Sequence, residues 1–430
     1  MNISEFTKRE KNAHLFSIEY KGIPLWELVR FDIFNEYVDR CKIDFKIPLY
    51  LKFKRWTNTI IGIIFSNPLF FLSRKDILVI RASRKSNANG ILVDPYTFDF
   101  EKKFSNKGIY ESNMDFVTYK LFVPNIIIID SISRWGSMLF LKFIKNKIID
   151  NKLNEQIQLI CNAFPEKELE AFIRQKVVKF IIAYKLYTFI LRRRNPRNIY
   201  LTNYIHKHAL IYSAKKLNIK TIEIQHGFIT PLFSDYHFPG VIKDSLLLFP
   251  EVFYYLSENL KYKVELPLSD FNIKPFQGVF FSERLKRSKL MEKDSKAILF
   301  ISTNYKEFLI FIEDFCRLLE SKGENLHIYF KPHPYEYSYI DMNYIANLKI
   351  KYNLNFINKN EDIYEYLGKI KYIVTVQSTL LFEAIDYGNT VYCIKLKDYE
   401  TVIPFINDRI VHLVENTEDL YNAIEKDFSK

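Results

Sequence analysis

The chain has 430 residues, 48% of them hydrophobic and 26% charged, enough apolar content to bury the cores of two domains of ordinary size. Its net charge of +12 points to an anionic partner: nucleic acid, an anionic membrane surface or an anionic substrate. The 11 glycines form neither a G-x-G-x-x-G nor a Walker loop, which argues against a P-loop NTPase and a typical dinucleotide-binding dehydrogenase.

The charged and polar N-terminus, Met1–Asn12, does not read as a signal peptide. Leu15–Tyr37 then carries Gly22-Ile23-Pro24-Leu25-Trp26 and an aromatic, helix-like run, in which Trp26 reads as a core anchor. Over Leu49–Leu72 an apolar run is flanked by Lys52, Lys54, Arg55, Arg74 and Lys75, too short to span a bilayer and interrupted by Pro68. Such a segment lies in a membrane interface or is a buried helix of the first domain. Asp76–Ala82 is a buried strand leading into the polar, basic loop Ser83–Asn89, which includes Arg84, and then Asp94-Pro95-Tyr96. A loop after the first strand of an α/β domain is where a substrate meets the sheet.

Phe116–Ile129 reads as further strand, Trp135–Leu191 as helical, and Arg192–Arg194 with Arg197 as a solvated helix end. Asn198–Asn203, His206–Leu217 and Lys220–Ile224 make a strand–helix–strand unit ending in Gln225-His226-Gly227. His226 is either a base poised near neutral pH or a structural ring bonded to its loop, and Gly227 permits close approach beside a ligand. His206 and His208, two apart on a helix, are not read as ligands. Leu246–Asn272 shows no clear strand. Cys41, Cys161, Cys316 and Cys393 form no C-x-x-C, which argues against zinc and a disulfide framework and fits a reducing cytoplasm. No zinc-finger or RNP-like pattern accompanies the basic excess, so nucleic acid is not the expected partner.

Ala297–Ser302 opens a second β/α series, with Tyr305–Lys322 as its first helix. His327–Phe330 delivers Lys331 and His333 on the proline-stiffened loop Lys331-Pro332-His333-Pro334, which suits an anionic ligand such as a diphosphate. Tyr372–Thr375 runs into Gln377-Ser378-Thr379, where Ser378 is the expected N-cap of a helix Thr379–Tyr387. Glu383 lies one turn past Thr379 and is placed to accept from ribose hydroxyls; Gly388 ends the helix before the strand Thr390–Ile394.

Gln225-His226-Gly227, Lys331-Pro332-His333-Pro334, Ser378-Thr379 with Glu383, and the opening phrase Gly22–Trp26 with Arg30 together resemble bacterial GT-B glycosyltransferases of capsule and lipopolysaccharide synthesis. That group includes polysialyltransferases and Kdo transferases, together with related CDP-glycerol glycerophosphotransferases. The resemblance implies an α/β GT-B fold of two Rossmann-like domains facing across a cleft: residues 1–275 for the acceptor and 276–430 for the nucleotide-sugar donor. Lys331, His333, Ser378, Thr379, Glu383 and Ser302 would then line the donor side, and Gln225, Gly227, Arg84 and Asp94 the acceptor side. His226 and His333 would be catalytic. The implied activity is inverting transfer, without metal or other cofactor, from a nucleotide-activated sugar, CMP-linked in preference, to a cell-surface polysaccharide or lipid-linked glycan. The location implied is cytoplasmic, on the inner face of the cell membrane. A CDP-polyol phosphotransferase of the same fold, or a non-catalytic partner in a polysaccharide assembly complex, stays open.

Overall fold

The computed structural model describes residues 3–38, 73–81, 86–88, 91–111, 150–165, 168–227, 229–232, 235–256, 264–276, 278–302, 305–333, 336–359, 361–407 and 410–428. The expected segments Leu49–Leu72, Ser83–Lys85 and Phe116–Ile129 lie outside the described residues.

The N-terminal part begins with α1 (Ile3–Asn12), a small antiparallel pair β1 (Glu19–Tyr20) and β2 (Ile23–Pro24), and α2 (Leu25–Val38). Trp26 is fully buried and donates from Nε1 to the buried Glu10 at 2.6 Å, the anchor role expected of it. Then come β3 (Ile77–Arg81), the hairpin β4 (Ser86–Ala88) and β5 (Ile91–Val93), α3 (Phe98–Lys103), β6 (Lys107–Glu111), α4 (Asn151–Ala163) and α5 (Leu169–Arg194). The strand–helix–strand unit follows as β7 (Asn198–Leu201), α6 (His208–Lys216) and β8 (Lys220–Ile224), and β9 (Val252–Tyr255) and β10 (Ile273–Pro275) complete the series.

Six strands form one parallel sheet in the order β10-β9-β8-β7-β3-β6. Its apolar residues alternate between two faces, as the period of a strand requires. Leu78, Ile80, Ile199 and Leu201 join the large core under the helices, while Ile77, Val79, Tyr200, Ile222 and Val252 form a second core on the opposite side. Burial on both faces accounts for the unbroken apolar run Ile77–Ile80.

Two expectations fail here. β9 lies inside Leu246–Asn272, where no strand was evident in the sequence, because the neighbouring apolar run Leu246–Phe249 is also buried and blurs the strand's edge. Arg194, expected in a solvated helix end, is fully buried; its backbone carbonyl accepts from Lys75 N at 2.9 Å and its guanidinium lies under Gly108.

After α7 (Val279–Lys289), the second series runs β11 (Asp294–Ile301), α8 (Tyr305–Lys322), β12 (His327–Lys331), α9 (Met342–Tyr352), β13 (Asn355–Phe356), α10 (Ile363–Lys369) and β14 (Ile370–Thr375). It closes with α11 (Leu380–Asp386), β15 (Thr390–Ile394), α12 (Ile403–Asn407), β16 (His412–Val414) and α13 (Thr417–Phe428). These strands form a second parallel sheet, β13-β12-β11-β14-β15-β16. Alternation recurs: Ile298, Phe300, Tyr372 and Val374 face one core, and Ala297, Leu299, Ile301 and Ile373 the other.

The two sheets are joined by an aromatic latch. Val93, from the first series, belongs to a core of the second. Phe98 meets Phe280 edge-on at 5.9 Å, Tyr96 meets Phe281 at 5.7 Å, and Phe100 meets Phe276 at 6.0 Å. Asp99 accepts from Phe280 N at 3.3 Å, satisfying a donor in the first turn of α7.

Candidate functional site

In the second sheet the strand order reverses between β11 and β14, the arrangement 3-2-1-4-5-6 whose crevice at the strands' C-terminal ends takes ligands. Ser302 follows β11, Lys331 and His333 stand at the end of β12, and Ser378 and Thr379 follow β14. The fold therefore brings these dispersed residues to one rim.

The rim is tied together by Glu336, which the sequence analysis did not single out. Its carboxylate, 1% exposed, accepts from Ser302 Oγ at 3.0 Å and from His333 N at 2.6 Å. It links the loop after β11 to the loop after β12. The available signal was its spacing, an acid three residues beyond His333 on a loop stopped by two prolines. Lys331 is buried, donates from Nζ to Asn358 O at 2.8 Å, and lies 5.3 Å from the centre of the Tyr337 ring. His333 is exposed, yet desolvation by the surrounding protein lowers its pKa, so the neutral ring is favoured.

The helix after β14 begins one residue later than expected, at Leu380, with Thr379 as its cap residue. Ser378 still makes the expected bond, its Oγ accepting from Leu380 N at 3.3 Å. Gln377 Nε2 donates to Asp398 Oδ2 at 3.3 Å, fixing the start of this loop. Glu383 is half-buried on α11, and Gly388 adopts φ +74° and stops the chain there as expected.

On the first sheet, β8 ends in a loop whose shape is set by Gln225. This side chain is buried; its Nε2 donates to Gly227 O at 2.9 Å and its Oε1 accepts from Leu256 N at 3.0 Å. Tyr96 OH donates to His226 O at 3.0 Å, a contact the sequence did not reveal. Gln225 thus acts as a brace for His226, which is half-buried. Asp94 is buried and accepts at Oδ1 from Tyr96 N at 2.9 Å, so it shapes the turn into α3 and aims Tyr96 at the His226 loop. Arg84 lies outside the described residues.

The two rims meet. A Cβ placed on Gly227 would stand 3.4 Å from Thr379 Cγ2, so the Gln225-His226-Gly227 loop touches the Ser378-Thr379 turn. Two doubly wound parallel sheets thus present strand ends to one another across a cleft. The fold is GT-B. Residues far apart in sequence, Gly227 and Thr379, are thereby brought together from the two halves.

Among the described residues no group of three or more His, Cys, Asp or Glu is placed to hold a metal ion. No family model matches the sequence, and comparison with curated proteins finds no match. Among solved structures the chain is similar to the UDP-GlcNAc 2-epimerase of Methanocaldococcus jannaschii, with 15% identity, 81% of this chain and 91% of that chain covered, and a TM-score of 0.45. It is also similar to the UDP-GlcNAc 2-epimerase of Neisseria meningitidis, with 12% identity, 82% and 91% covered, and a TM-score of 0.46. MurG of Acinetobacter baumannii shares 10% identity over 83% of this chain and 90% of its own, with a TM-score of 0.41.

Proposed function

We propose that the chain is a glycosyltransferase that takes its sugar from a nucleotide-activated donor, a CMP-sugar in preference. The donor lies against residues 276–430 and the acceptor against residues 1–275. The observation that carries this reading is the contact of the His226 loop with the Ser378-Thr379 turn, because group transfer needs a base and a leaving-group seat on opposite sides of one reacting atom.

In this reading the acceptor hydroxyl oxygen bonds to the anomeric carbon while the bond from that carbon to the nucleotide phosphate oxygen breaks. The phosphate departs with the electron pair, and His226 takes the acceptor proton. Charge growing on the phosphate meets Lys331, His333 and the hydroxyls of Ser378 and Thr379, fixed donors of the kind that stabilise a leaving group, while Ser302, whose hydroxyl and N–H are given to Glu336 and to Lys331 O, holds the rim in place. A neutral His333 serves as a hydrogen-bond donor rather than as a standing cation. Glu383 receives the ribose hydroxyls. Direct displacement inverts the anomeric carbon, and these residues need no metal for it. The acceptor is a cell-surface polysaccharide or a lipid-linked glycan, met at the anionic inner face of the cell membrane.

The test is nucleotide release from CMP-, CDP-, UDP- and GDP-activated donors, with product analysis. Release of CMP with sugar transfer is expected, and Ser378→Ala with Thr379→Ala should weaken nucleotide binding about tenfold or more while leaving the melting transition in place. Transfer of a polyol phosphate from a CDP-polyol would replace the sugar donor. Epimerised UDP-GlcNAc without sugar transfer or lasting nucleotide release, or unchanged nucleotide affinity in the double variant, would overturn the reading.

A further inference from the structure

The N-terminal ends of β3, β7 and β8 form an edge of the first sheet at the opposite end of the strands from the His226 loop. Backbone hydrogen bonds stitch it together. Lys75 N donates to Arg194 O at 2.9 Å, Arg197 N to Asp76 O at 2.9 Å, and Lys220 N to Arg197 O at 3.2 Å. Arg74, Arg192, Arg193, Arg197, Lys216 and Lys220 lie on this edge or at the ends of α5 and α6 that lead into it, and all six are exposed. None of the six forms an ion pair among the described residues. Among the described residues just ahead of these three strands, Asp76 is the only exposed acid.

Arginines at the end of a helix answer its dipole, which accounts for Arg192 and Arg193 on α5. It does not account for Arg74, Arg197 and Lys220, which stand at strand entries. Like charges gathered on one edge repel, so the edge fits an external anionic surface. Exposed apolar side chains accompany the cations. Phe189 on α5 is 53% exposed, and the Arg193 guanidinium lies 4.9 Å from its ring centre. Ile242 and Phe271, each 79% exposed, sit on two turns that Asp244 ties together, its Oδ1 accepting from Ser269 N and Asn272 Nδ2 at 3.1 Å. Lys215, in the last turn of α6, donates from Nζ to Leu246 O at 2.6 Å and holds these turns beside the edge. The apolar run that ends at Leu72 joins the same edge through Ser73 and Arg74.

We propose that this edge docks the chain on an anionic lipid bilayer, its cations against the headgroups and Phe189, Ile242 and Phe271 entering the boundary between headgroups and acyl chains. Basic side chains are drawn to such a surface, and apolar ones set among them add buried area. The apolar members favour a bilayer over nucleic acid, whose phosphate backbone takes cations but gives Ile242 no apolar layer to enter. Docking here leaves the C-terminal ends of the strands, and with them the candidate site, clear of lipid. The surface is argued from charge and exposure; only the identity of the bilayer, the inner face of the cell membrane, rests on the transferase reading.

The test is flotation of the full chain with vesicles of phosphatidylcholine alone and of phosphatidylcholine mixed with phosphatidylserine. Binding to the mixed vesicles alone is expected. Arg192→Glu with Arg193→Glu, and separately Arg197→Glu with Lys220→Glu, should each weaken it about twentyfold or more. Lys349→Glu with Lys426→Glu lowers the net charge by as much at exposed positions of α9 and α13, and should weaken it about threefold at most. Ile242→Ser with Phe271→Ser should weaken it about fivefold and make what remains more sensitive to salt. None of these changes should alter CMP or UDP affinity, and either arginine-bearing pair decides the matter if the other fails to fold. If the unaltered chain ignores the mixed vesicles, or the edge variants lose no more than the α9–α13 variant, the proposal falls. It falls too if the edge variants lose DNA binding while vesicle binding persists, which would make the edge a nucleic-acid surface. Vesicle binding without nucleotide release from any donor would keep the surface and remove the transferase. Nucleotide release without vesicle binding would remove the surface alone.

Discussion

Glu336 shows how one side chain can set a rim. Replacing it with Ala would leave Ser302 Oγ and the His333 N–H without their present partner in a buried place. A hydrogen bond to a charged group contributes about 1.5–3 kcal/mol, so Glu336→Ala should lower stability to urea by about 2–3 kcal/mol and loosen nucleotide binding with it. The histidines divide along a different line. Removing His226 or His333 should each cost roughly two to three powers of ten in turnover, so rate alone does not tell base from leaving-group donor. A donor with a better leaving group should restore part of the rate to His333→Ala and much less to His226→Ala. An equal response of the two variants in single-turnover kinetics would contradict the assignment.

At the scale of elements, α3 and α7 hold the two halves together. Phe280 is 3% exposed, meets Phe98 edge-on, and lies beside the Arg284 guanidinium at 3.8 Å. Phe280→Ala should cost about 3–5 kcal/mol in denaturant unfolding and speed proteolysis between β10 and β11, the cavity being too central to collapse. On β8, burial pushes Glu223 up to about 8, a carboxylic acid held neutral with Tyr236 OH and Tyr204 N directed at Oε1. Its folded pKa lies above the unfolded value near 4.5, so the native state binds the extra proton. Its contribution to stability is full below about pH 4.5 and is lost as pH rises through about 8. Glu223→Gln keeps an acceptor for both partners and cannot ionise. Urea unfolding at pH 5 and pH 8 should find the variant gaining on the natural chain at pH 8, by on the order of a few kcal/mol. An equal difference at both pH values would show that Glu223 titrates normally.

For the whole molecule, the net charge of +12 acts at longer range than any pair. Among the described residues no helix is long and apolar enough to cross a membrane. Co-sedimentation with phosphatidylserine vesicles should be strong at low salt and fall steeply as ionic strength rises, because screening shortens the reach of surface charge. Binding indifferent to salt would place the attraction in apolar insertion instead of charge. A carbonate wash of cell membranes should release the protein.

The sequence by itself determined the elements whose cause is local. Buried parallel strands read as apolar runs, as at Ile77–Ile80 and Tyr372–Thr375, and the stops read from Pro332 and Pro334, whose rings fix φ and remove a donor, and from Gly388, which tolerates the positive φ that ends a helix. Those stops also marked where Lys331, His333, Ser378 and Thr379 stand, since a strand that ends in a polar cluster must end at a sheet's edge. Tertiary structure alone decided what each side chain faces. β9 emerged only by pairing with β8 and β10, since its own short run resembles the buried loop beside it. Arg194 left the solvent because Gly108 offers no side chain to keep it out. That Asp94 and Gln225 also brace their loops was not legible, because Gln225 reaches Leu256 N at the end of β9 as well as Gly227 O, and Asp94 takes Tyr96 N of its own turn. The meeting of Gly227 with Thr379 depends on how two separately folded sheets dock, and no local periodicity records a docking angle.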